Sequence, residues 1–153
     1  MNGGAPMENI AQLVDALTGP DNDAAYDALK RLLSESADSD QVYRHFDAFA
    51  KMLDGANSFV RTRGFLLIAA NARWDAEHRI DAVLDRCLQR IGDEKPIAAR
   101  TCIQALPDIA AHRPELAEAI AEALRGADPG RYKETMRGLV AKDIREALRK
   151  IEA

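Results

Sequence analysis

Few residues in this chain are equipped for chemistry: the histidines His45, His78 and His112, the cysteines Cys87 and Cys102, and an arginine that returns as Arg63, Arg100 and Arg137. A metal centre needs ligands held at fixed spacing. Only His78 has a carboxylate residue, Glu77, directly beside it, and no His-Glu-x-x-His stretch occurs. The cysteines are 15 positions apart, without the CxxC spacing that aims two thiolates at one metal, and both stand among apolar neighbours, as reduced buried thiols do. The glycines of Asn2-Gly3-Gly4 and Gly55-Ala56-Asn57 belong to a terminus and a turn, not to a phosphate-cradling loop. The expectation is therefore no catalytic centre, no metal and no cofactor. The arginines suit another chemistry: a guanidinium pairs with carboxylates, either a partner's or the chain's own.

The 153 residues, 47% of them hydrophobic, suffice for one compact domain or one short repeat array. With 21 basic and 25 acidic side chains the net charge of −4 makes general attraction to phosphate backbones weak. The charges are uneven: residues 1–56 carry 10 acidic and 4 basic side chains, and residues 131–150 carry 3 acidic and 7 basic. No basic-then-apolar leader opens the chain and no apolar run has membrane-spanning length, so a cytoplasmic protein without a membrane span is expected.

Apolar residues recur at spacings of three and four, giving eight amphipathic helices and no strand pattern. The helices carry in turn Ile10 to Leu17, Ala25 to Leu33, Val42 to Leu53, the stretch RTRGFLLIAANA from Arg61, Ile80 to Ile91, Ile97 to Ala111, Leu116 to Leu124, and Leu139 to Ile151. Asp21 or Asn22, Asn57 and Asp75 are expected to cap the second, fourth and fifth, and the sixth is expected to start at Asp93. The fourth, apolar nearly all round, should be the most buried. Pro107 should kink or break the sixth helix, and Gly138 should bend the eighth.

A shift of 37 superposes Arg63-Gly64-Phe65-Leu66, Arg100-Thr101-Cys102-Ile103 and Arg137-Gly138-Leu139-Val140, each on the second helix of a pair. A shift of 36 sets Ala28-Leu29 on Gly64-Phe65 but leaves Asp27 where the arginine belongs, as an atypical terminal repeat does. The period, two helices per unit, an aspartate in the turn and Val-Arg opening the second helix, here Asp54 and Val60-Arg61, together resemble the HEAT-repeat family, in particular its small free-standing bacterial members. The third unit keeps Asp93 and Ile97 but has Ala98 in place of the arginine.

The resemblance implies an all-α, right-handed α-solenoid of about four helix pairs: units near 7–36, 39–73, 75–112 and 114–152, one repeat domain over 7–153, and a flexible terminus over 1–6. It also implies function by binding, with a protein partner on the concave face formed by the second helices. Arg63, Leu67, Asn71 and Trp74, then Arg100, Gln104 and Asp108, then Lys133 and Arg137 would line that face, Tyr26 and Lys30 would extend it, and its charge would select an acidic segment. The competing reading makes the arginines struts that hold carboxylates within the stack, Arg61 with Asp54 above all, and makes Trp74 a core residue. HEAT-like iron hydroxylases use repeated His-Glu dipeptides, which are absent here. A nucleic-acid-associated or glycosylase-related protein is the alternative; it would use the basic last helix and has Asp108 as its one obvious concave aspartate.

Overall fold

A computed structural model describes residues 7–153, and the expected flexible terminus over 1–6 lies outside them. Among the described residues the chain is all-helical, with eight α-helices and no strand: α1 (Met7–Ala16), α2 (Asn22–Asp38), α3 (Phe46–Met52), α4 (Ser58–Ala70), α5 (Arg79–Leu88), α6 (Pro96–His112), α7 (Ala117–Arg125) and α8 (Glu134–Glu152). None is long and apolar enough to cross a membrane. The chain divides after Ala76 into two compact units, the second being Glu77–Ala153. In the first, α1 packs on α2, α3 on α4, and the second helices α2 and α4 on each other. In the second, α7 packs on α8, and α6, flanked by the Gln89–Gly92 turn, packs on α8.

Local side-chain caps set the starts of α2 and α4. Asp21 Oδ1 accepts from the Asp23 and Ala24 amides at 3.0 and 3.1 Å, and Asn57 Oδ1 from the Phe59 amide at 2.7 Å, so both expected caps form. The expected cap at Asp75 does not form. Asp75 is buried and accepts the Tyr43 hydroxyl at 2.5 Å, and His78 in the left-handed region (φ 58°) precedes α5 instead. Asp93 likewise does not start the sixth helix: buried, it accepts from the Lys95 amide at 2.9 Å and from Arg90 at 2.7 Å, and α6 starts at Pro96.

Pro107 does not break α6, and α8 runs unbroken through Gly138. A proline removes one backbone donor and crowds one carbonyl. Around Pro107, the buried Ile103, Leu106, Ile109 and Ala110 hold the helix by packing.

The fourth helix is the one expected to be most buried, and it buries Arg61, Arg63, Gly64, Phe65, Leu67, Ile68 and Ala69. Gly64 makes this possible, because a Cβ there would stand 2.7 Å from Met52 Cβ and 2.8 Å from the Phe49 carbonyl of α3. Gly138 holds the same repeat position, yet a Cβ there would meet nothing within 4 Å. Opposite outcomes are expected for one substitution. Gly64→Ala lowers stability by about 1–3 kcal/mol through overpacking, whereas Gly138→Ala raises it by about 0.5–1 kcal/mol by restricting the unfolded chain. Urea denaturation midpoints of the two variants check both signs.

Candidate partner-binding surface

In the first unit Arg63, Leu67, Asn71 and Trp74 of the expected surface are turned to internal work. Arg63 is only 6% exposed. It donates to the Leu17 carbonyl at 2.8 Å and to Asn22 Oδ1 at 3.2 Å, joining the C-terminal end of α1 to the start of α2, with the Phe59 ring 6.0 Å away. Burial pulls its pKa below the usual arginine value. Arg61, also buried, donates to the Gly55 and Ala56 carbonyls at 2.9 and 3.1 Å, bracing the turn that precedes its own helix.

Asn71 is fully buried: its amide donates to Ser36 Oγ at 3.1 Å and to the Leu67 carbonyl at 2.8 Å, and Ser36 donates in turn to the Leu32 carbonyl at 2.7 Å. Trp74 is half-buried, its indole N–H donated to the Ser36 carbonyl at 2.7 Å and its ring 5.8 Å from the Arg73 guanidinium. As docking groups Arg63, Asn71 and Leu67 are therefore corrected: all three are buried against α1 and α2 or within the core, where no partner reaches them. Tyr26 stays 58% exposed, with Lys30 Nζ 5.2 Å from its ring, and Phe59 is 60% exposed.

The second unit keeps an open face. Arg100 holds Asp143 of α8, Nε to Oδ2 at 2.6 Å, a pairing that raises its pKa further. Its carboxylate thus comes from the neighbouring second helix, not from a turn. Arg137 is exposed and donates Nε to the Tyr132 carbonyl at 2.7 Å. Six helical positions separate Arg137 from Asp143, which sets the two about a third of a turn apart round α8, so Arg100 and Arg137 do not form one row.

What α6 exposes is a ridge at spacings of three and four: Ile97, Gln104, Asp108 and Ala111, with Thr101 half-exposed among them. Ile97, three positions before Arg100, is 64% exposed, and Leu139, four positions before Asp143, is 40% exposed. Large apolar side chains thus border the Arg100–Asp143 pair on both helices. Gln104 and Lys133 are exposed as expected. Ile97 and Leu139 were not legible as surface, because their periodicity reads as core.

The residues with other chemical potential have structural partners. Glu77 lies 3.3 Å from Arg79, and His78 Nδ1 lies 2.8 Å from the buried Arg113, which also holds Asp81 at 2.7 Å and Glu115 at 3.2 Å. Among the described residues no group of His, Cys, Asp and Glu is arranged to hold a metal ion. Both cysteines are buried and lie outside any disulfide. Comparison with family models, curated proteins and solved structures gives no match for this chain.

Burial pushes the Cys87 thiol from 9.0 up to about 12, against the opposing pull of Arg86 and Arg90. The unfolded thiol ionises first as pH rises, so the stability contributed by the neutral buried form is complete below pH 9 and is lost progressively toward pH 12. The expected loss over that window is on the order of 4 kcal/mol. Urea midpoints of wild type and Cys87→Ala between pH 8 and about pH 11 check it: the wild type falls more steeply, and parallel curves would refute the assignment.

Proposed function

We propose that the chain is a HEAT-like α-solenoid module without catalytic activity, working in the cytoplasm, that binds a protein partner along its second helices. The observation that carries this reading is the pair of exposed apolar side chains, Ile97 on α6 and Leu139 on α8, flanking an ion pair on an otherwise polar ridge. Apolar anchors ringed by polar groups are what a docking surface needs. The exposed cations Lys133, just before α8, and Arg137 and Lys142 on it favour an acidic segment, and Gln104 offers a hydrogen bond two turns along the same α6 ridge as Ile97. Of the residues first assigned to the face, Arg100, Gln104, Lys133 and Arg137 remain in this reading, and Trp74 is at most a half-buried contributor.

The test is co-purification from the native host with wild type and with Ile97→Asp/Leu139→Asp. Because both side chains are exposed, the variant is expected to melt within a few degrees of wild type and to lose the partner. A normally folded variant that retains every wild-type partner would overturn the reading. The alternative, a nucleic-acid-associated protein, is favoured by the exposed Lys142, Arg145 and Lys150 of α8. Binding of DNA or RNA that falls steeply with salt would support it, and absence of binding at low salt would eliminate it.

A further inference from the structure

Among the described residues four large apolar side chains are exposed, and each lies on a different second helix: Tyr26 on α2, Phe59 on α4, Ile97 on α6 and Leu139 on α8. Because α2 packs on α4 and α6 packs on α8, each unit presents one apolar pair.

The two pairs are built alike. In the second unit the Arg100–Asp143 ion pair bridges α6 to α8, with Ile97 three positions before the arginine and Leu139 four before the aspartate. In the first unit Arg63 bridges α4 to α2 through Asn22 Oδ1. Phe59 stands four positions before that arginine, its ring 6.0 Å from the guanidinium, and Tyr26 stands four after the asparagine. Three or four positions make about one helical turn, so each apolar side chain shares a side of its helix with the bridge.

The pairs differ in shape and in charge. The first is aromatic, with the exposed Asp23 three positions before Tyr26 and the exposed Asp27 directly after it, and its nearby cation, Lys30, lies 5.2 Å from the Tyr26 ring. The second is aliphatic, with Lys133, Arg137 and Lys142 exposed along the start of α8. The wider balance has the same sense: residues 1–56 carry 10 acidic and 4 basic side chains, and residues 131–150 carry 3 acidic and 7 basic. Two copies meeting through like faces would oppose like charges, whereas unlike faces are complementary.

We propose that the occupant of the α6–α8 ridge is a second copy of this chain, whose Tyr26 and Phe59 pack on Ile97 and Leu139 while its Asp23 and Asp27 face the cations of α8. This rests on the reading of that ridge as a protein-docking surface and names its partner. The acidic partner that the ridge calls for is thus carried on α2 and α4 of the same sequence, and the contact joins unlike patches of two copies.

The test is sedimentation velocity of the purified full chain from micromolar to millimolar concentration. Wild type is expected to associate beyond the monomer as concentration rises, and less so at high salt. Tyr26→Asp/Phe59→Asp and Ile97→Asp/Leu139→Asp, each spoiling one face, should each self-associate at least about tenfold more weakly, as loss of central apolar anchors does. An equimolar mixture of the two variants should recover a one-to-one complex, because one supplies an intact α6–α8 face and the other an intact α2–α4 face. Should the aromatic variant not fold, as its thermal melt would show, Asp23→Lys/Asp27→Lys on the exposed side of α2 replaces it in the mixture. A wild type that stays monomeric throughout, a single-face variant that self-associates like wild type, or a mixture that does not associate would overturn the proposal. A monomeric wild type whose Ile97→Asp/Leu139→Asp variant still loses a host protein would overturn the second copy as partner and leave the ridge as a docking surface.

Discussion

Reversal of Arg63 to glutamate is expected to lower the stability of the first unit by about 3–5 kcal/mol, the cost of leaving buried groups with an uncompensated charge. The guanidinium answers two acceptors, the Leu17 carbonyl at the end of α1 and Asn22 Oδ1 at the start of α2. A carboxylate in its place offers no donor to either, and it meets the negative end of the α1 dipole. Arg137→Glu, at the same repeat position but exposed, is expected to change stability by less than about 0.5 kcal/mol, as surface substitutions do. Thermal melts of the two variants make the comparison. A fall of several degrees for Arg63→Glu with none for Arg137→Glu assigns the first to bracing, and equal small shifts would refute that assignment.

Truncation of Phe65 to alanine is expected to cost about 3–5 kcal/mol, the range for a large core aromatic. Phe65 is fully buried on α4, one position beyond the glycine that brings α3 into contact, so little is free to relax into the space it leaves. Leu139→Ala, at the equivalent repeat position, should cost less than about 1 kcal/mol because the leucine is 40% exposed. Cys102, 1% exposed at that position, should fall between them, since less volume is removed. Equilibrium urea denaturation of the three alanine variants gives the order, and a Phe65→Ala cost below about 1 kcal/mol would show that residue 65 is not a packing centre.

The helices were legible because their periodicity is a property of neighbours along the chain. Ile10, Val14 and Leu17, then Ile80, Val83 and Cys87, are buried as their spacing demands. Caps were legible where a side chain reaches its own helix, as at Asp21 and Asn57, and not where a distant group claims it, as Tyr43 claims Asp75. The site fared less well for the same reason. Repeat register puts Arg63, Arg100 and Arg137 in one position, but what each touches depends on the neighbouring helix: carbonyl and amide oxygens for the first, Asp143 for the second, and a carbonyl just before α8 for the third. Periodicity also cannot tell an inward stripe from an apolar residue left outside, which is why Ile97 and Leu139 looked like core.

The arrangement of packed helices within each unit has a kinetic consequence. Each unit is made by a helix meeting the next one or the next but one, as α1 meets α2, α2 meets α4 and α6 meets α8. The segments that must close are therefore short, and the entropy lost in closing a loop grows only slowly with its length. Chains built from such local encounters cross their folding barrier quickly, in the microsecond to millisecond range typical of helical domains. Partly ordered chains then have little time in which their apolar faces are open to one another, and rapid folding itself becomes a protection against aggregation.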